Sequence, residues 1–163
     1  MAVSGDGTSK VSEARSQAGN THIAGEMFVA AELAKRGYNV SLTMGNAKAV
    51  DLFAEKGGLS VCIQVKALAS KKSIGWPLPF DQKKIIDNVI YVCVVLNEVG
   101  VQPSFYILRP DDVKANGKWY ATRAILDIAR IRDKGFLNAW ATIDVALAVQ
   151  AGRASAVSGA AVP

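Results

Sequence analysis

The chain has 163 residues, half of them hydrophobic, with a formal net charge of +5. That supplies one full core and a modest positive excess, compatible with a polyanionic partner. It excludes a helical membrane protein, because no apolar run approaches the roughly 18 residues a span requires. No charged-then-apolar leader precedes a small-residue cleavage site, so a cytoplasmic protein is expected, with no membrane partner. Cys62 and Cys93 fall in apolar, strand-like stretches and read as reduced, packed thiols. Two cysteines and one histidine, His22, make a zinc site improbable.

Residues 1–18 are small, polar and Gly/Ser-rich, and read as a flexible tail before a single domain spanning 19–150. An amphipathic helix is expected from about Thr21 to Arg36, with Gly37 as its stop. Its apolar surface takes in Ala24, Met27, Phe28, Ala30, Ala31 and Leu33. Glu26 falls on the side shared with Val29, Ala30 and Leu33, an unusual place for an acid. A surface pair or a capping bond with Thr21 or His22 accounts for it equally well. Tyr38 to Thr43 alternates as a strand, and residues 45–48 form a loop.

Val50 to Lys66 reads as a β-hairpin turning at Gly57-Gly58. The two-residue turn sets Lys56 opposite Leu59 and Asp51 opposite Gln64. Val50, Leu52 and Ala54 then share an aliphatic face with Val65, Ile63 and Val61. The other face carries Asp51, Phe53 and Glu55 against Cys62, Gln64 and Lys66. A carboxylate with amide or backbone oxygens is the donor set Mg²⁺ or Mn²⁺ prefers, and a lysine beside it suits a water or a phosphate. The same pattern also fits an amphipathic hairpin with a solvated polar face.

Residues 67–80 are polar and Pro-containing and read as a loop beside the hairpin, with Lys71, Lys72 and Trp76 in it. Asp81 is expected to cap a short helix over 81–88. Val89 to Leu96 is continuously apolar and reads as a strand buried on both faces. Ser104 to Leu108 is a further strand, and Pro110 opens a turn or short helix. Residues 126–136 and 138–150 read as helices, and 151–163 as a flexible tail.

An inward glutamate on the first helix, then Val50-Asp51-Leu52, then Ile63-Gln64-Val65-Lys66, then a helix and a buried strand, resembles the PD-(D/E)XK nuclease superfamily. The archaeal Holliday-junction resolvases and the glutamine-carrying group I intron homing endonuclease branch look most similar. The resemblance covers about residues 19–110. It implies an α/β, restriction-endonuclease-like core, a central mixed sheet flanked by helices in the order α-β-β-β-α-β. It further implies Mg²⁺- or Mn²⁺-dependent hydrolysis of DNA phosphodiesters, on branched or otherwise structured DNA. Asp51 corresponds to the central metal-binding aspartate and Glu26 to the first-helix glutamate. Gln64 occupies the (D/E) position, with the Val65 carbonyl as a further ligand, and Lys66 corresponds to the water-positioning lysine. Val50 stands where the motif has proline, and Gln64 lowers the negative charge of the site by one. That second departure sustains an alternative, a catalytically degenerate module that binds nucleic acid or a protein partner. Asn46, Lys48, Lys71, Lys72, Lys83 and Lys84 are candidate phosphate contacts and Trp76 a candidate stacking residue; surface charges, a turn residue and a core anchor are the ordinary readings of the same residues. Resolvases of this fold act as dimers, so a homodimer is expected.

Overall fold

A computed structural model describes residues 6–43, 50–70 and 74–159. Helix α1 (Asp6–Lys35) begins well before Thr21, taking in most of the stretch read as a tail. No proline interrupts Asp6–Lys35, and Lys10, Glu13, Ala14, Arg15, Gln17 and Ala18 are sound helix formers hidden among small residues. At its far end Gly37 takes φ +82°. Its N–H donates to the Ala34 carbonyl and that of Tyr38 to the Leu33 carbonyl, closing the helix in a Schellman arrangement. The buried line on α1 is Gly25, Val29 and Leu33, spaced by four. Met27 and Phe28, expected to be apolar contacts, stand about half exposed.

Strand β1 (Asn39–Leu42) lies antiparallel to β2 (Leu52–Lys56), which turns into β3 (Leu59–Leu68). Gly57 and Gly58 both have positive φ, as a two-residue hairpin turn of this hand requires. Opposed pairs run from Lys56–Leu59 to Leu52–Ile63, the expected register. Leu52, Ala54, Val61, Ile63 and Val65 are buried on one face, while Phe53 is exposed on the other. β3 pairs in parallel with β5 (Val89–Val95), every residue of which is buried, and β5 pairs antiparallel with β6 (Ser104–Leu108). The mixed sheet has the order β1-β2-β3-β5-β6.

Between β3 and β5 the chain departs from expectation. In place of a loop and a helix there are β4 (Gly75–Leu78) and a single 3₁₀ turn, Gln82–Lys84. Asp81 does cap that turn, accepting the Lys83 N–H at 2.9 Å. β4 is an edge of a second sheet, β4-β8-β7, with β7 at Lys118–Trp119 and β8 at Ala124–Asp127. An edge position tolerates Pro77, which has no N–H to donate. Gly75 allows the close pairing, since a Cβ there would lie 2.0 Å from the Leu126 carbonyl oxygen. The helix expected over 126–136 is divided: Leu126-Asp127 belong to β8, and Asp127 caps the short α3 (Ile128–Ile131) by accepting the Ala129 N–H. The last helix, α4, runs from Ala141 to Gly159, past Gln150 into the stretch read as a second tail.

The main sheet separates two apolar clusters. On one face Val29 and Leu33 of α1, with Ile143 and Leu147 of α4, meet Leu52, Ile63, Val65 and Val92. On the other, the second sheet, α2 (Pro110–Asn116) and α3 bury Trp76, Tyr91, Cys93, Leu108, Leu126 and Ile131. Each fully buried aliphatic side chain contributes about 1.5–3 kcal/mol. Tyr38 ties α1 to α4 by donating its hydroxyl to Asp144 Oδ1 at 2.6 Å, and Lys56 reaches the same oxygen at 3.2 Å. Burial, then that hydrogen bond, pushes the Tyr38 phenol up. The outer edge of β6 is covered by residues 136–138, through Ile107 N–H to Phe136, Asn138 N–H to Phe105, and a bridge between Tyr106 and Leu137. Among the described residues no helix is long and apolar enough to cross a membrane.

Gly25 sets how closely α1 approaches β3, since a Cβ there would lie 2.5 Å from the Ala67 Cβ, whereas one on Gly19 meets nothing within 4 Å. Gly25→Ala is expected to destabilise the fold by about 1–3 kcal/mol in urea titrations. Gly19→Ala, on the same helix, is expected to stabilise it by up to about 1 kcal/mol.

Candidate metal centre

The regular pairing of β2 with β3 ends at Leu52–Ile63. The Asp51–Gln64 pair expected next does not form. Asp51 donates its N–H to the Ile63 carbonyl at 2.9 Å, and its own carbonyl accepts the Thr43 N–H at 3.0 Å. Its carboxylate Oδ2 accepts the Val65 N–H at 2.7 Å, taking the place of a main-chain partner. This offset also redirects Val50, which packs against the second cluster rather than sharing the face of Leu52. The physical reason is a bulge-like step, which turns side chains on either side of it to new directions.

Beyond Ile63, β3 continues without β2. Leu68 gives its carbonyl to Leu96 N–H, on the β5 side, so the main-chain groups of Val65 leave the strand on the edge that β2 has vacated. The Val65 carbonyl therefore opens on the same edge as the Asp51 carboxylate. Glu26 comes to this edge from above the sheet, carried by the helix turn that Gly25 seats against Val65 and Ala67. Donor atoms of His22, Glu26 and Asp51 all lie within 4.8 Å of one another. His22 Nδ1 is 3.6 Å from Glu26 Oε1. Burial, then the negative charge of Asp51, holds the Glu26 carboxyl above the usual carboxylate range, against an opposing pull from His22.

Two converging carboxylates that repel one another, beside a backbone carbonyl, fit a hard divalent cation, which would relieve the repulsion. Gln64 and Lys66 leave β3 from the face opposite Val65, both half-buried, at the level of Tyr91 and Cys93 in the neighbouring strand. The expected set is thus divided: Glu26 approaches on the Val65 face of β3, and Gln64 and Lys66 leave on the other. His22 is a donor that the hairpin pattern does not reveal; its signal is the i, i+4 spacing to Glu26 on a helix. Burial pushes the Cys93 thiol up to about 12, leaving it protonated and inert at neutral pH.

The candidate DNA contacts fare unevenly. Trp76 is corrected outright: it is fully buried, donates its indole N–H to the Val94 carbonyl at 3.1 Å, and meets Tyr106 edge-on. It has no face left for a base. Lys83 and Lys84 are exposed, and Lys84 Nζ stands 4.8 Å over the ring of Phe80. Asn46, Lys48, Lys71 and Lys72 lie outside the described residues.

The raised carboxyl of Glu26 has a thermodynamic consequence. A carboxyl whose folded pKa exceeds its unfolded one stabilises the fold when protonated, and that stability is lost as pH rises through the folded value. In chelator, the wild type is expected to lose melting temperature from about pH 4 to pH 7 more steeply than Glu26→Gln. At neutral pH the metal-free variant should melt above the wild type, which thermal scans at fixed salt will show.

No protein-family model matches the chain, and no curated protein matches its sequence. Among solved structures it is similar to that of a bacterial homing endonuclease, I-Ssp6803I, with a TM-score of 0.57 at 20% sequence identity. The likeness covers 82% of this chain and 95% of that one. It bears out a central mixed sheet flanked by helices, and the fold of this chain is of the type that the bacterial endonuclease has.

Proposed function

We propose that the chain is a divalent-metal-dependent endonuclease that hydrolyses phosphodiester bonds in DNA, with branched or otherwise structured DNA as the preferred substrate. The observation that carries this reading is the convergence of Glu26 and Asp51 on the β3 edge where Val65 presents its main chain. Glu26, Asp51 and the Val65 carbonyl are the groups that would hold Mg²⁺ or Mn²⁺, with the Gln64 amide oxygen as a neutral addition. A bound ion supplies Lewis acidity toward the scissile phosphate. Asp51 has one oxygen committed to the Val65 N–H, which fixes the orientation of the other. Lys66 serves to position the attacking water and to offset charge developing on the phosphate. The reading also draws on the resemblance of the Asp51, Gln64-Val65-Lys66 pattern to the PD-(D/E)XK nucleases and on the homing endonuclease named above. Exposed Lys83 and Lys84 and the net positive charge favour a polyanionic substrate. Two copies of the chain would supply one such centre for each strand; light scattering at working concentration should then report a dimer mass.

The test is cleavage of branched, single-stranded and linear duplex DNA with Mg²⁺ or Mn²⁺. Asp51→Ala is expected to lose both cleavage and metal binding. Lys66→Ala is expected to cut about 10²–10⁴-fold more slowly while still binding metal, because it acts on the proton transfer rather than the ion. A folded wild type that neither cuts any of these substrates nor binds metal by calorimetry would overturn the reading. It would favour instead a non-catalytic module of the same fold, for which Gln64 in the place of an acid already speaks.

A further inference from the structure

Resting on the metal-dependent reading of this edge, we infer that His22 is a third side-chain ligand of the ion, through Nδ1, and that it biases the site toward Mn²⁺ over Mg²⁺. Three observations carry the inference. His22 and Glu26 are one helical turn apart on α1, so both side chains descend toward the same point of the sheet. Nδ1 of His22 lies 3.6 Å from Glu26 Oε1, and the donor atoms of His22, Glu26 and Asp51 fall within 4.8 Å of each other. Ligands about 2.1–2.2 Å from an octahedral ion sit about 3 Å apart when adjacent and about 4.4 Å apart when opposite. Bringing Nδ1 from 3.6 Å to about 3 Å from Oε1 takes a shift of about half an ångström, which a rotation of the half-exposed His22 side chain can supply.

The chemistry then sets the preference. An acid at position 64 would complete an all-oxygen, more negative set of the kind that suits Mg²⁺. Gln64 leaves that set one charge short, and imidazole adds a neutral nitrogen donor beside the two carboxylates. Mg²⁺ takes nitrogen poorly and demands near-ideal oxygen geometry, whereas first-row transition ions accept imidazole readily. His22 also joins the helix to the site, so an ion bound there fastens α1 to the Asp51 end of the hairpin.

The experiment is direct observation of the bound ion. Mn²⁺-loaded wild type, in electron spin echo spectroscopy, is expected to show nitrogen modulation from a coordinated imidazole, and His22→Gln to lack it. Calorimetry on the same proteins should show Mn²⁺ bound about tenfold more weakly by the variant, with Mg²⁺ affinity changed less than about threefold. His22 is half exposed and outside the core, and matching melting curves in chelator will show that the variant is folded. Mn²⁺ bound without nitrogen modulation, or equal losses for both ions, would overturn the role of His22 and leave the Glu26–Asp51 centre standing. Failure of the wild type to bind either ion would overturn both.

Discussion

One hydrogen bond organises this molecule: the Asp51 carboxylate accepting the Val65 N–H at 2.7 Å. In an uninterrupted ladder a main-chain carbonyl of β2 would take that donor. A side chain takes it here, so β2 can leave the sheet while β3 goes on, without stranding a buried N–H that would cost about 1–3 kcal/mol. The gap made in this way is where charge can gather. A carboxylate fixed by a backbone donor cannot rotate away from its neighbours. The repulsion between Asp51 and Glu26 is therefore built in rather than relaxed by movement.

The helix above depends on the same strand. Gly25, Val29 and Leu33 form a single line of contact, and the absence of a Cβ at Gly25 lets the helix sit directly over Val65 and Ala67. Glu26 follows Gly25 in the chain, so the depth of helix packing is also the height of the carboxylate over the sheet edge. Leu33 and Tyr38 then lock the helix end through the Schellman closure, and Tyr38 carries the constraint on to Asp144 of α4 and to Lys56 of the hairpin. Stability and the geometry of the centre are set by the same few residues.

Much of this was legible in the sequence because two periodicities were strong. Gly57-Gly58 and the alternation on either side determined the hairpin register, and the unbroken apolar run at Val89 identified the buried central strand. Glu26 stood out as an acid in line with Val29 and Leu33. The rest was hidden for physical reasons. Pro77 and the polar residues ahead of it disguise β4, an edge strand that tolerates both, and with β4 went the burial of Trp76. Ideal alternation assigns Asp51 to a face of the sheet, but a one-residue offset sets it on the edge instead. No pattern along the hairpin could reveal His22, because its proximity to Asp51 exists only once the helix is laid across the strand.

The two outer edges of the main sheet are unlike. At β6 the segment 136–138 already occupies the main-chain groups of Phe105 and Ile107, so that side offers little to a strand from another molecule. At the other side β1 is only four residues long, and its first residue, Asn39, directs its side chain to Glu55 at 2.6 Å. A sheet whose interior is as apolar as β5 would be a template for intermolecular pairing if it ended in a long bare edge. Covering one boundary and shortening the other leaves little bare edge through which that strongly hydrophobic interior could be extended by a strand of another molecule.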